Sequence, residues 1–458
     1  MLHYKHMFYR IFFLFFFILS INLFLLPLKV SAKNTWTLPI QILQTDGKVL
    51  SSFDIPIEND VGGADIAVAD LGSDKIPEII IGYGLGNDPL VRVLRQDGSE
   101  IGNFLAYDKT MKQGINITSC DLDGDQINEI ITAPQYGAEP RLKVFSNLGK
   151  IKFDSKGYLA YSNLFRGGVS LDCGDIDHDG EYELITGAGP SGGPHVRIWK
   201  IKNNTLKLHD EFFAFDASQK NGIIVRVINS NDLLIASEEG PITHMVHYSF
   251  LNGEKTFSVL PSVNHATNGI IDIDILEKEI VLSPVSTNHL IRTTSSKTIA
   301  TLNLFRATSF DVVDLDADGK EEIITVSGSP FFSQNKEKNI IIDISSQRLF
   351  AYENGRLKMG FPVSTGRFNS TPLGSHTVLS KVPFVHYAWT YGVNDPRNYD
   401  LGVVPYNLKF FNHIYIHYAP WHNNFGTPMS HGCVNVNLEN MKSLYEWASE
   451  KISVEVKS

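Results

Sequence analysis

A lone thiol near the C-terminal end stands among residues suited to nucleophilic chemistry. Cys433 lies in "MSHGCVNV", residues 429–436, behind Ser430, His431 and Gly432, and is one of three cysteines in a chain of 458 residues. A thiol attacks once a base holds it as thiolate or takes its proton. That base must itself be oriented, and backbone N–H groups must face the developing oxyanion. His417 stands sixteen residues earlier, in "HIYIHYAP", which reads as a strand. A loop and a glycine-bearing turn after that strand can bring its ring to the sulfur. Gly432 lets the backbone approach closely and expose its amide. His413, His417, His422, His431 and Cys433 also raise a zinc reading, because His413 and His417 share one face of a strand. Neither H-E-x-x-H nor paired C-x-x-C spacing accompanies them, which weighs against zinc.

The segments that must position these residues follow a polar break. Residues 333–339 read as a linker, and 340–458 as a separate β-rich domain. "IIIDISSQRLFAYENGRLKMGFPVSTG" alternates as short strands with a turn at Glu353-Asn354-Gly355. The end of the domain reads as a short helix. Asn437 is the expected N-cap, and Leu438, Met441, Leu444, Tyr445 and Ala448 fall at helical spacing.

With "STPLG" and "IHYAPWHNNFGTPMSHGCVNV", this domain resembles the catalytic domain of the L,D-transpeptidases, bacterial enzymes that cross-link peptidoglycan. The resemblance spans about 120 residues and rests on His417 and the run Ser430-His431-Gly432-Cys433-Val434-Asn435. It implies Cys433 as nucleophile and His417 as general base. The backbone carbonyl of Tyr418 would orient His417, at a place where the family often has Ser or Gly. The amides of His431, Gly432 and Cys433 would form the oxyanion hole, and Ser430 and Asn435 would support the turn on its substrate side. "TYGVNDPRNYD" resembles a lid whose contacts are Tyr391 and Tyr399, with Trp421 as a further substrate contact. The implied reaction is a two-step acyl transfer. The thiolate attacks the carbonyl of the third residue, a diamino acid, of a peptidoglycan stem tetrapeptide, and D-alanine leaves. A side-chain amine of a second stem then makes a 3→3 cross-link. The resemblance implies no metal or organic cofactor for catalysis, and implies acylation by carbapenem-type β-lactams.

The preceding 300 residues repeat. "DLGSDKIPEIIIGYG" from Asp70, "DLDGDQINEIITAPQ" from Asp121, "DIDHDGEYELITGAG" from Asp175 and "DLDADGKEEIITVSG" from Asp314 align. The first three are each followed by a second alternating run, "LVRVLRQDG", "RLKVFSNLG" and "HVRIWKIKN". Two weaker copies near Val227 and Asp272 keep the strands and lose the acids. Units of this length with several short strands and glycine-rich turns read as β-propeller blades. Six blades are expected over residues 33–332, with seven the alternative. Residues 38–55 would supply outer strands to the last blade and remove an open edge. The repeats resemble those of FG-GAP-type propellers. The fold class is therefore mainly β: a propeller followed by the β-rich catalytic domain with its short terminal helix.

Acids recur at alternate positions of the repeats: Asp121, Asp123, Asp125 and Glu129; Asp175, Asp177, Asp179 and Glu183; Asp314, Asp316, Asp318 and Glu322. A tight loop with carboxylates so spaced can gather the oxygens Ca²⁺ needs, and the resemblance implies structural calcium there. Asp and Gly also form turns without any ion. In the copy at Asp70, Gly72 replaces the second acid. Cys120 and Cys173 sit one and two residues before their loops, which points them to opposite faces of their strands. A mutual disulfide is not expected, and both read as small core residues.

Bulk features place the chain outside the cytoplasm. Lys5 and Arg10 precede an uncharged apolar run, and Val30-Ser31-Ala32 fits a small-x-small cleavage rule. Residues 1–32 read as a signal peptide, with an uncleaved membrane anchor as the alternative. The cell envelope, as periplasm or wall, is the expected location. A formal net charge of −10 without a basic block argues against nucleic acid as partner. Peptidoglycan stem peptides are the expected partners, with a glycan or surface protein at the propeller. In the alternative reading the propeller is an adhesive or glycan-binding module, and the transpeptidase domain serves its attachment to the wall.

Overall fold

The computed structural model describes residues 36–57, 62–228, 232–239, 242–251, 254–264, 270–276, 279–284, 289–292, 298–301, 308–327, 337–345, 347–353, 356–390, 392–396 and 398–457. The expected leader, Tyr391 and residues 333–336 of the expected linker lie outside them. Among the described residues no helix is long and apolar enough to cross a membrane.

The chain is mainly β. Among the described residues, six four-stranded antiparallel sheets come first. The first sheet takes Gly62–Ala69, Glu78–Leu85, Leu90–Leu94 and Glu100–Leu105 in order. The next four repeat this pattern from Ile115–Cys120, Val169–Gly174, Ile223–Ile228 and Ile270–Leu276, so the two weak sequence copies also form sheets. The sixth combines Thr308–Val313 and Glu322–Ser327 with the N-terminal strands Trp36–Leu43 and Val49–Ile57. The first strands of successive sheets are neighbours, and Thr308–Val313 lies beside Gly62–Ala69.

Burial explains the residue pattern within each sheet. The second strands are apolar runs buried on both faces, as in Glu129–Pro134 and Glu183–Ala188, because sheets pack on either side. The third strands alternate, and an outer strand such as Glu100–Leu105 is largely exposed.

Side chains on the first strands tie each sheet to the next. Asp65 accepts the Ile117 N–H at 2.9 Å, Asp172 accepts that of Val227 at 2.7 Å, and Asp311 accepts that of Val68 at 2.7 Å. Asp272 and Asp274 accept from Phe310 and Val312, each at 3.1 Å. Arg226 donates to the Ile273 carbonyl at 2.9 Å and pairs with Asp272, while Asp172 lies 4.0 Å away. Between the second and third sheets Asn116 donates to the Val169 carbonyl at 2.8 Å. Burial pushes Asp65 up to about 6 with Asp272 adding to it, and pushes Asp311 to about 6 against the pull of Arg226.

Cys120 and Cys173 form a disulfide, Cα atoms 6.3 Å apart, contrary to expectation. Their strands belong to different sheets packed face to face. The front of one sheet meets the back of the next, so pointing to opposite faces is what brings the two sulfurs together. The alternation rule governs side chains on one strand, not across such an interface.

The C-terminal part contains β1 (Asn339–Asp343), β2 (Arg348–Glu353), β3 (Arg356–Pro362), β4 (Gly374–Thr377), β5 (Ser380–Trp389), β6 (Tyr399–Phe411), β7 (Ile414–Tyr418), β8 (Val434–Val436), α1 (Leu438–Trp447) and β9 (Ser453–Lys457). One sheet has the order β3-β2-β1-β9-β4 and the other β5-β6-β7-β8. The Asn437 side chain caps α1, accepting the Asn440 N–H at 2.9 Å. Met441 and Leu444 of α1 join Ile340, Phe361, Leu408, Ile416 and Val434 in one core between the sheets. Phe350, Tyr352 and Leu357 of the β2–β3 hairpin pack with Leu85 of the first repeated sheet.

Candidate functional site

The core between the two sheets fixes β7 and β8, and these place the candidate catalytic pair. They run parallel, with Ile416 opposite Val434 and His417 opposite Asn435. Cys433 precedes β8 by one residue, so it lies two positions from Asn435. His417 and Cys433 are diagonal neighbours on one face of this pair.

His417 is buried, 1% exposed. Its Nδ1 lies 2.7 Å from the Tyr418 carbonyl oxygen. A carbonyl only accepts, so Nδ1 carries the proton and Nε2 keeps its lone pair. Tyr387 of β5 stacks on the imidazole, and Trp421 lies 5.7 Å from it between centroids. Tyr387 donates in turn to Asn407, which stands opposite His417 on β6. Burial is the main cause that pushes the His417 pKa down to about 4; the Tyr418 hydrogen bond resists this, and His422 adds to it.

Cys433 is the only cysteine outside the disulfide. Its Sγ donates weakly to the His413 carbonyl at 3.9 Å and makes no hydrogen bond to His417. Burial pushes the thiol up to about 11, with the Tyr415 backbone opposing. At neutral pH the pair is therefore thiol and neutral imidazole. Any attack by this thiol would require its proton to be taken by a neighbouring base.

Hydrogen bonds hold the turn before Cys433. The Ser430 hydroxyl accepts the Gly432 N–H at 3.0 Å and donates to the Cys433 carbonyl. The Gly432 amide, expected to face the oxyanion, is thus directed at Ser430. The N–H groups of His431 and Cys433 have no acceptor among the described residues. Gly432 has φ +148, and a Cβ there would meet Ile414 Cδ1 at 2.8 Å. Thr371, fully buried in "STPLG", accepts the Gly366 N–H at 2.8 Å and donates to the Gly432 carbonyl at 2.9 Å. Gln347 anchors the same segment, since its amide donates to the Thr365 hydroxyl and accepts the Thr365 N–H.

Asn435 sits behind the pair and bonds through its backbone to Ser364. Its side-chain amide lies 2.9 Å from His422 Nε2. The Asn424 N–H donates to His422 Nδ1, so the ring proton sits on Nε2. The Asn435 oxygen must then face His422, which also gives that buried oxygen its partner. Asn435 is a buried support rather than a surface contact. On the open side Tyr399 stacks parallel to His431, centroids 5.9 Å apart, and Trp421 is 37% exposed. Thr371, Tyr387, Asn407 and Gln347 carried no assigned role in the sequence, and His422 entered only through the zinc reading and as a residue lining the cleft or its rim. Only the "STPLG" pattern pointed near one of them.

In the acid loops, carboxylates of Asp121, Asp123 and Glu129, of Asp175, Asp177 and Glu183, and of Asp314, Asp316 and Glu322 lie within 4.8 Å of one another. Asp125, Asp179 and Asp318 stand outside these triads. The first acid of each loop also builds the turn: Asp121, Asp175 and Asp314 each accept backbone N–H groups four and five residues on. The final Glu closes it, as Glu129 does with the Leu122 N–H. Among the described residues the histidines near Cys433 form no comparable cluster.

Residues 337–456 match the L,D-transpeptidase catalytic domain family. No curated protein matches the chain. Similar solved structures include an L,D-transpeptidase from Mycobacterium smegmatis, 19% identical, covering 41% of this chain and 98% of that one, TM-score 0.26. One from Stackebrandtia nassauensis is 25% identical, covering 27% and 58%, TM-score 0.23. The catalytic domain of the E. faecium L,D-transpeptidase is 22% identical, covering 27% and 99%, TM-score 0.24.

Proposed function

We propose that this chain is an exported L,D-transpeptidase that forms 3→3 peptidoglycan cross-links through a thioester on Cys433. The observation that carries the reading is the tautomer of His417. Its Nδ1–H is held by the Tyr418 carbonyl, which leaves Nε2 as a base on the face it shares with the chain's free thiol. The family match at 337–456 supports the reaction class.

The steps follow from these groups. Sγ attacks the carbonyl of the third stem residue while its proton passes to His417 Nε2. The N–H groups of Cys433 and His431 receive the oxyanion. As the tetrahedral intermediate collapses, the imidazolium protonates the departing amine of D-alanine, and a thioester remains. An acceptor amine from a second stem attacks the thioester and gives its proton to His417. The sulfur then leaves and recovers that proton. Tyr399 and Trp421 border the open side and would contact the stem peptide. Carbapenem-type β-lactams would acylate the same sulfur.

The six repeated sheets are read as a six-bladed propeller of FG-GAP type that holds the enzyme on its polymer, where tethering raises the local substrate concentration. Incubating the full chain with a stem tetrapeptide tests the catalytic reading. The wild type should release D-alanine and gain an acyl mass on Cys433, and Cys433→Ala should do neither. Equal release by both proteins overturns it.

A further inference from the structure

The three acid loops differ in what meets their carboxylates. Lys152 Nζ lies 2.6 Å from Asp123, 3.5 Å from Asp125 and 2.6 Å from Glu129. Lys200 Nζ lies 3.0 Å from Asp177, pairs with Asp179, and lies 2.8 Å from Glu183, off the line of a hydrogen bond to that oxygen. The Lys200 side chain is 3% exposed and that of Glu183 is fully buried. In these two loops the ammonium bridges two of the three converging acids, Asp123 and Glu129 or Asp177 and Glu183, and so takes up carboxylates that a divalent ion would need.

The two lysines reach this place by different routes. Lys200 follows Trp199, which pairs with Leu184, the residue after Glu183. The same register puts Arg95 after Leu94 in the first sheet, Ser146 after Phe145 in the second, and Gln44 after Leu43 in the sixth. The second sheet has serine at this position and takes its cation from Lys152, beyond the following turn. In the sixth sheet the position is the neutral Gln44, and Leu50 stands as far beyond it as Lys152 stands beyond Ser146. Lys320 there pairs with Asp318 and is exposed. Among the described residues no cation pairs with Asp314, Asp316 or Glu322. Two unrelated sequence positions thus deliver an ammonium to equivalent sites, which a chance surface ion pair does not require.

We propose that Lys152 and Lys200 are built-in replacements for a divalent cation, so that the loops at Asp121 and Asp175 are closed to metal and fold without it. The loop at Asp314, with the same acids and no such lysine, is the internal comparison. The calcium suggested by the repeat pattern does not fit the first two loops. One ammonium supplies a single positive charge, half that of a divalent ion, and three donor hydrogens for carboxylate oxygens, and it cannot be removed by a chelator.

Calcium titration of the full chain by calorimetry tests this, with thermal unfolding in chelator as a second reading. The wild type should bind at most one ion. Two or three ions per chain would overturn the proposal, since the lysines would then have been displaced. Lys152→Met and Lys200→Met should each add one bound calcium, and each variant should lose thermal stability in chelator and regain it with calcium. No added ion in either variant would also overturn it, because the loops would not be metal sites in disguise. Should a variant fail to fold, the wild-type stoichiometry still decides.

Discussion

The imidazole of His417 stacks on the phenol ring of Tyr387, with centroids 4.3 Å apart and planes 25° from parallel. The ring face is electron-rich, so it would favour the imidazolium that the proposed mechanism forms while the thiol proton is in transit. Tyr387→Ala should lower kcat/KM for D-alanine release by about 10- to 100-fold, equivalent to roughly 1.4–2.8 kcal/mol. Tyr387→Phe keeps the face and loses the bond to Asn407, worth about 1 kcal/mol, so it should fall only a few-fold. Equal losses in both variants would shift the role from the ring face to the hydroxyl.

His417, the proposed base, has a pKa of about 4 in the fold, so the acid limb of kcat/KM should lie near pH 4 rather than 6.5. The same shift bears on stability. Between these values the unfolded chain binds more protons. This contribution is whole above about pH 6.5 and is lost as pH falls to 4, on the order of 3 kcal/mol. Urea unfolding of wild type and His417→Gln at pH 7 and 4.5 measures it, and the variant should lose less on acidification.

The thiol of Cys433, raised to about 11, should be alkylated slowly by iodoacetamide at pH 7.5. The rate should climb about tenfold per pH unit toward that value, because the thiolate is the reacting form. A plateau below pH 8 would reveal a preformed thiolate–imidazolium pair instead.

Thr371 joins the Gly366 amide to the Gly432 carbonyl from a fully buried position. Thr371→Val preserves shape and orphans both backbone groups, at about 1–3 kcal/mol each. Thermal unfolding should register that loss, and acylation should fall with it. Thr371→Ser should restore both; a serine variant as impaired as the valine one would show that the methyl group matters instead.

Arg226 stands among Asp172, Asp272, Asp274 and Asp311 at the meeting of the repeated sheets. Arg226→Met leaves buried carboxylates without their cation and should cost about 3–5 kcal/mol at pH 7. Burial already raises Asp172, Asp274 and Asp311 against the pull of Arg226; without that pull they rise further above their unfolded values, so the deficit should shrink as pH falls toward 5. Unfolding midpoints across that range check the sign.

How much of this was legible in the sequence depends on how far the interacting residues lie apart. The thiol of Cys433, its turn and the proposed base His417 fall within seventeen residues, and the cap at Asn437 needs only its own helix. Tyr387 and Asn407 reach the site from other strands and Gln347 from the turn before β2, and no local pattern marks them. The acid loops were visible as a repeat. Lys152 and Lys200 were not, because the ammonium arrives from a neighbouring strand or turn and its position in the chain shifts between copies. The Cys120–Cys173 pair was misread for the same reason: it is set by the packing of one sheet on the next.

That disulfide closes between sheets made early in the chain, and its cysteines are 53 residues apart. Domains fold in order of synthesis. In an oxidising compartment the two early thiols can find each other while Cys433 is still hundreds of residues from emerging. Three cysteines permit three pairings, and two of them would consume Cys433, the proposed nucleophile. Order of appearance thus removes both competitors, and the last sulfur arrives with no partner left to trap it.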